Sequence, residues 1–257
     1  MTSFYRRYVS GSRDDVWHEL RQLGAGCRAP SVRADVEAVV REAMIRARQN
    51  VETIIERLTG QGYRFGDTDN EGGASVPLAP PDPHTPAFLD WLEGRFGPIP
   101  LTARAWAEIV GDVSLIGMHP DWPDDAVVDP LVVELEYKSW AGAGPERGPA
   151  RNYFEGEYEA WRESCAEDHE ARVGPFSLEV SPDALHKAKI SGGAPYGFLI
   201  PDECADGTFR FDDGVYIPFV EYLRLAFSCG GFPGLWKRGV SEAVWRRRRE
   251  LAEGLLR

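Results

Sequence analysis

The most regular alternation of apolar and polar positions lies near the start of the chain. Between residues 31 and 58, apolar side chains recur at intervals of three and four positions, with arginines and glutamates between them. This spacing places the apolar groups on one face of a helix and the charges on the other. Ser31 is a suitable N-cap, and Gly60 and Gly62 follow the last apolar position. The pattern predicts a long amphipathic helix, preceded by a shorter one over residues 14–23.

Residues 66–86 interrupt this periodicity. They contain the pair Gly72-Gly73 and a series of prolines, a composition that favours an extended or disordered path over a packed core. We therefore predict three parts of the chain: an N-terminal helical extension over residues 1–65, a Pro/Gly-rich linker over residues 66–86, and a main domain over residues 87–257 that ends in a C-terminal helix.

The stretch of residues 88–117 has the clearest local organisation of the main domain. Its pattern predicts a short helix, a proline-containing turn, a second helix that stops at Gly111, and an apolar strand. Two starts of the second helix are open. Thr102 is a candidate cap, and Pro98 and Pro100 are equally suited to the first turn, where a missing N–H costs little.

The remaining pattern is rich in short β-type runs. Residues 131–135, 176–180, 197–200 and 209–211 predict strands, and residues 217–227 and 241–255 predict helices. Residues 139–151 predict a loop, and residues 153–171 fit either a helix or an irregular insertion. Helices first, strands next and helices last indicate an α+β fold. We expect a central, mostly antiparallel sheet with helices packed on it, preceded by the N-terminal helical extension.

Composition and charge narrow the classes of function. The formal net charge of −12 argues against a general nucleic-acid binder, which needs a basic surface for phosphate contacts, and suits attraction to a basic partner. The four cysteines form no CxxC pair and are expected to be reduced thiols. No apolar run approaches the ~20 residues that span a bilayer, and the N-terminus lacks the pattern of a signal peptide. We expect a cytoplasmic protein with no membrane association.

One segment combines charge with a large aromatic side chain. Residues 119–129, called the acidic segment below, follow the predicted strand and read HPDWPDDAVVD. One hypothesis is a partner-binding loop, because loops with an aromatic anchor and charges often contact partners. The other is a proline-stiffened turn with solvated carboxylates. Pro120 and Pro123 do not suit a calcium loop. The candidate partner-binding residues are His119, Asp121, Trp122, Asp124, Asp125 and Asp129.

Other candidate sites are weaker. Cys165 and His169 would share one helix face, but they supply only two of the three or four ligands that zinc requires. His186 could act as a base, although no nucleophile and acidic partner can be assigned to it. The four arginines of residues 246–249 fit a solvated helix paired with nearby glutamates, or a contact for nucleic acid or an acidic surface. We predict no cofactor, no metal site and no catalytic residues.

The stretch of residues 88–117 also resembles a known family. It contains a helix in which apolar residues are followed by Leu-Glu and a later Gly, then a proline-containing turn, then a helix that ends before an apolar strand. This order resembles the SMI1/KNR4 (SUKH) superfamily. The later run FVEYLRLAFSCGG is similar to the closing helix of that superfamily. The usual Asn before the terminal Gly of the second helix is absent here. The residues that carry the resemblance are Leu92, Glu93, Gly97, Pro98, Pro100, Leu101, Trp106, Val110 and Gly111.

The resemblance implies a role rather than a reaction. Bacterial members of the superfamily are mostly immunity proteins that bind and neutralise toxins, and others are interaction modules. We therefore expect a non-catalytic protein-binding module, most readily a bacterial immunity protein that binds a toxin effector, with a basic toxin as one partner. The alternatives are a general regulatory or interaction module, and an enzyme of another type that uses His119 or His186.

Overall fold

The computed structural model describes residues 3–66, 76–119, 128–138, 147–167, 173–190, 192–212, 214–236 and 242–256. The α-helices are α1 (Phe4–Val9), α2 (Arg13–Leu23), α3 (Arg33–Gly60), α4 (Thr85–Phe96), α5 (Leu101–Ala105), α6 (Gly148–Glu167), α7 (Ala184–Lys187), α8 (Phe219–Ser228) and α9 (Glu242–Ala252). The strands are β1 (Arg64–Phe65), β2 (Leu78–Ala79), β3 (Asp112–Ser114), β4 (Gly117–Met118), β5 (Val132–Val133), β6 (Phe176–Ser181), β7 (Tyr196–Ile200), β8 (Thr208–Phe211) and β9 (Val215–Pro218).

The strands form three antiparallel sheets with the orders β1-β4, β2-β3-β5 and β6-β7-β8-β9. A hydrogen bond of 2.8 Å from the Glu134 N–H to the Val180 carbonyl joins the segment after β5 to β6. The expected α+β class, with antiparallel strands, packed helices and a helical N-terminal segment, is confirmed. Within the described residues, the strands are distributed over these sheets rather than gathered in one.

The long amphipathic helix exists as predicted, with a shifted start. It begins at Arg33 rather than directly after Ser31, and Val32 occupies the capping position without a side-chain cap. The carboxylate of Asp35 instead caps the neighbouring α1, because its oxygens accept hydrogen bonds from the N–H groups of Phe4 and Tyr5 at 2.6 and 3.2 Å. The first turn of α3 therefore serves another helix.

The N-terminal helices share their core with the rest of the protein. One cluster of buried apolar side chains includes Trp17 and Ile54 of the N-terminal helices together with Trp106, Phe198 and Phe219. Residues 66–86 were expected to be a linker, yet Leu78 and Ala79 form β2 and pair with β3. The predicted boundary between residues 65 and 87 therefore does not coincide with a gap in the apolar core.

The end of the chain is fastened to α3. The side-chain amide of Asn50 donates to the Leu256 carbonyl and accepts from the Leu256 N–H, both at 2.8 Å. The guanidinium of Arg57 donates to the carbonyls of Leu251 and Glu253 at 2.8 and 2.7 Å. Residues far apart in sequence therefore meet through hydrogen bonds between side chains of α3 and main-chain groups at the end of the chain.

Residues 88–117 have the predicted order of elements. Pro100 occupies the cap of α5, so of the two open starts the structure shows a proline at the beginning of the helix. The helix continues as one π-helical turn, Trp106–Val110. Gly111 then adopts a φ of 97°, and a Cβ there would lie 2.2 Å from the Ala79 carbonyl oxygen. Only glycine allows β2 to pass so close to this turn.

Two later elements differ from the pattern-based expectation. Residues 153–171, which fitted either a helix or an irregular insertion, lie as far as Glu167 in the helix α6. The helix expected from residue 217 begins at Phe219, because Ile217 and Pro218 belong to β9, a strand that was not predicted. None of the helices among the described residues combines the length and apolar character needed to cross a membrane.

Candidate functional site

The acidic segment starts at a buried histidine. His119 follows β4 and is 3% exposed. The Nη1 atom of Arg247, on α9, lies 2.6 Å from Nε2 and 3.0 Å from Nδ1 of the imidazole. A guanidinium can only donate, so this contact requires a ring nitrogen that accepts. His119 is therefore held against the C-terminal helix.

The acidic segment ends at a buried carboxylate. Asp129 is 4% exposed and has a φ of 47°. Its Oδ1 lies 2.7 Å from the Lys187 ammonium, and its Oδ2 accepts a hydrogen bond of 3.1 Å from the Tyr196 hydroxyl. Burial lowers the pKa of Lys187, and the charge of Asp129 opposes that effect. Burial also raises the pKa of the Tyr196 hydroxyl.

These contacts place the two ends of the acidic segment, but not its middle. Asp121, Trp122, Asp124 and Asp125 lie outside the described residues. His119 and Asp129 make intramolecular contacts and expose little surface to a partner. The role of His119 and Asp129 as direct partner contacts stays a prediction. Their contacts give them another role, in which they anchor the two ends of the acidic segment.

A second polar assembly was not predicted from the sequence. It is a buried ionic cluster around the end of β5 and the start of α4, formed by Asp82, Thr85, Asp112, Glu136, Lys138 and Arg147.

Glu136 is the centre of the buried ionic cluster. One of its oxygens lies 2.6 Å from the Lys138 ammonium and accepts a hydrogen bond of 2.8 Å from the Thr85 hydroxyl. Its other oxygen lies 2.8 Å from Nε of Arg147. Arg147 also contacts the carboxylate of Asp82. Because the side chains of Glu136, Lys138 and Arg147 are almost fully buried, their charges depend on one another for compensation.

Asp112 connects this cluster to the backbone. Its Oδ1 accepts hydrogen bonds from the N–H groups of Leu135 and Glu136 at 2.9 and 3.1 Å, and its Oδ2 accepts one from Lys138 at 2.9 Å. Burial raises the pKa of Asp112 to about 6, an effect that the N–H donors oppose. Asp112 therefore fixes the path of the chain that follows β5.

The buried carboxyls predict an unusual dependence of stability on pH. Asp206, a buried residue just before β8, pairs with Arg21 at 3.0 Å. Burial raises the pKa values of Asp112 and Asp206 to about 6, from an ordinary 3.8. A carboxyl whose pKa is raised in the folded state contributes stability that is complete below its unfolded pKa and lost as pH rises through the folded pKa. The free energy of unfolding is expected to increase between pH 7 and pH 5 by about 1 kcal/mol for each carboxyl.

Urea denaturation at pH 5, 6 and 7 measures this effect. The carboxyls with lowered pKa values, such as Asp35 and Asp183, lose their contribution only below the ordinary carboxyl range, outside this window. Asp112→Asn should remove one carboxyl's share of the pH dependence. A free energy of unfolding that falls between pH 7 and pH 5 would contradict the prediction.

The remaining candidates have ordinary surroundings. His186 contacts the carboxylate of Asp183, which caps α7 through the N–H groups of Leu185 and His186. Cys165 is an exposed free thiol, and His169 lies outside the described residues. In the part of the chain that the structure describes, no group of His, Cys, Asp and Glu is arranged to hold a metal ion.

The arginine run divides its contacts among several groups. Arg247 contacts His119, whereas Arg248 donates to the Ser228 carbonyl at 3.2 Å and lies over the Trp245 ring. Arg249 pairs with Glu242 at 3.2 Å, as the solvated-helix hypothesis expects. The run is thus partly committed to holding α9 on the protein.

Sequence patterns contained a signal for the ionic cluster. The run LVVELEYK places charged residues inside an apolar strand, and charges at such positions are buried only when they are paired. The partners could not be named from the sequence, because Asp82 and Arg147 come from distant segments.

Comparisons of the chain with protein-family models, with curated proteins and with solved structures found no match.

Proposed function

We propose that this protein is a non-catalytic binding module, a bacterial immunity protein that neutralises a basic toxin effector in the cytoplasm by direct contact through the acidic segment. The observation that carries the proposal is the anchoring of both ends of this segment. His119 is held by Arg247, and Asp129 by Lys187 and Tyr196. Binding residues are commonly presented in this way, on a connecting segment whose ends belong to a rigid scaffold.

The chemistry of the segment indicates the kind of partner. Asp121, Asp124 and Asp125 surround Trp122 in the sequence, so negative charge accompanies a large aromatic side chain. Aromatic anchors dominate many interfaces, and complementary charges accelerate association and select the partner. The net charge of −12 acts in the same direction at longer range. A basic surface, such as the cleft of a nuclease toxin, fits this combination.

The resemblance of residues 88–111 to the SUKH superfamily supports the same proposal, because many bacterial members of that superfamily are immunity proteins. The candidate histidines lend less support to an enzyme, since His119 contacts a guanidinium and His186 contacts the cap of a short helix. A regulatory module with a non-toxic partner would use the same surface, and the biological assay below separates it from an immunity protein.

The proposal is tested with the toxins encoded beside the gene for this protein. Each toxin is expressed in a host with and without the protein, survival is counted, and the purified pair is examined for association by calorimetry. We expect protection against one toxin and a stoichiometric complex. Failure to protect against every neighbouring toxin, or protection without association, would overturn the proposal.

Neutralising Asp121, Asp124 and Asp125 to asparagine tests the role of the acidic segment in that complex. We expect the Kd to rise by about 10- to 100-fold, because rim charges and their desolvated neighbours contribute on the order of 1–3 kcal/mol together. The change should appear mainly in the association rate and should shrink at high salt.

A matched variant removes the same charge elsewhere. Glu37, Glu52 and Glu163 are exposed on α3 and α6, and their replacement by glutamine leaves the acidic segment intact. This control should change the Kd by less than about three-fold, since exposed pairs contribute little. Equal weakening by both triple variants would show that the overall field, and not the segment, recognises the toxin.

A further inference from the structure

A groove separate from the acidic segment lies between the N-terminal helices and α8. It has a volume of about 470 Å³, and its lining comes from α1, α2, α3, α8 and the residues that follow α9. Its apolar surface includes Met44, Ala47, Leu223 and Phe227. Cavities of roughly 300–1,000 Å³ are typical of sites for small organic molecules. The groove therefore has the size and the apolar lining of a ligand site.

Arginines predominate among the charged residues that line this groove. Its charged lining residues are Arg13, Arg46, Arg224 and a single acid, Asp14. Asp14 is 88% exposed at its side chain and pairs with Arg224 at 2.8 Å. Guanidinium groups of Arg13 and Arg46 each lie 5.9 Å from the centre of the Tyr8 ring. Two guanidinium groups thus lie beside the Tyr8 ring, and that of Arg46 is paired with Glu42.

One arginine of the groove lacks an ion pair. Within the described part of the chain, Arg13 forms none, unlike Arg46 and Arg224, which pair with Glu42 and Glu221. A guanidinium without a counter-charge favours a carboxylate as its partner, because the two groups form charge-assisted hydrogen bonds.

We infer that this groove binds a small organic anion, a carboxylate with an apolar body, whose carboxylate accepts from the Arg13 guanidinium while its body contacts Met44, Leu223 and Phe227. Arginine suits this role because its planar fork matches a carboxylate and remains charged. The site does not depend on the proposed immunity function, since none of its described lining residues belongs to the acidic segment.

Isothermal titration calorimetry of the full chain with four probes tests the inference. Decanoate and 2-naphthoate carry a carboxylate on a straight and on an aromatic body, decyltrimethylammonium reverses the charge, and acetate has no body. We expect one of the two apolar carboxylates to bind with one-to-one stoichiometry and a Kd below about 100 μM, a value within reach of ligands of this size. Whichever binds more tightly defines the shape of the body.

Arg13→Ala should weaken that binding at least ten-fold and lower the melting temperature only slightly, because Arg13 loses its contact with the Tyr8 ring but has no ion pair to lose. Arg13→Lys keeps the charge but not the fork and should give an intermediate Kd. Arg33→Ala, at a side chain 61% exposed on α3, is the matched control and should bind as the unchanged protein does. In ¹H–¹⁵N spectra, one buried indole N–H should shift on binding.

Several results would overturn the inference. They are the absence of saturable binding by both apolar carboxylates, equal binding of decyltrimethylammonium or acetate, and an unchanged Kd in Arg13→Ala. If Arg13→Ala lowers the melting temperature strongly, Arg13→Lys replaces it as the test variant. An equal Kd for Arg13→Lys and the control Arg33→Ala would then overturn the inference.

Discussion

Asp129→Ala is expected to lower the free energy of unfolding by about 3–5 kcal/mol, because it leaves the Lys187 ammonium buried without a counter-charge. The pair has side-chain exposures of 3% and 1%, so water compensates neither charge. The Tyr196 hydroxyl would lose its acceptor at the same time. Urea denaturation at pH 7 measures the loss.

Two companion variants identify the cause. Asp129→Ala combined with Lys187→Met should recover most of the lost stability, since an apolar side chain of similar length replaces the stranded charge. The penalty of Asp129→Ala alone should also shrink as pH rises, because burial already lowers the pKa of Lys187 and the ammonium can release its proton. A loss below about 1 kcal/mol would mean that Asp129 does not anchor the acidic segment.

Glu136→Ala is expected to be at least as damaging, with a loss of about 3–5 kcal/mol or failure to fold. It removes the common partner of Lys138 and Arg147, whose side chains are 4% and 1% exposed. Unlike Lys187, Arg147 cannot escape by losing its proton, because an arginine stays charged in proteins. Raising the pH should therefore bring little relief, which distinguishes this site from the Asp129–Lys187 pair.

Thermal and urea unfolding of the purified variant, together with the soluble yield, measure this outcome. Glu136→Gln should be milder, because the amide can still accept from Thr85 while losing the ionic contacts. Glu163→Ala, at an exposed position of α6, is the matched control and should stay within about 0.5 kcal/mol of the unchanged protein. A stable Glu136→Ala protein would show that the cluster is not required for folding.

Sequence patterns predicted some parts of the fold and not others. The class of fold and the long helix α3 follow from periodicity, which is a local property of the chain. The unpredicted strand β9 pairs with β8, and its exposed Val215 and Tyr216 give it no clear pattern of buried positions. Its existence depends on a neighbouring strand that brings hydrogen-bond partners, and a single segment cannot reveal them.

The polar sites show the same limit. The acidic segment was recognisable because its residues are adjacent in the chain, and the sequence located it between a strand and a β-rich run. Its anchors were not predictable, since Arg247 and Lys187 reach it from elements far along the chain. The groove could not be predicted from the sequence, because Arg13, Arg46 and Arg224 come from three different helices.

The fastening of Leu256 to Asn50 has a consequence for synthesis on the ribosome. The two residues are 206 positions apart, so the partner of the Asn50 amide is made long after α3 has emerged. At about 5–20 residues per second, that interval lasts roughly 10–40 s. During it, α3 presents an incomplete face to the cell, and nascent chains of this length are expected to need shielding by chaperones until residues 250–256 arrive.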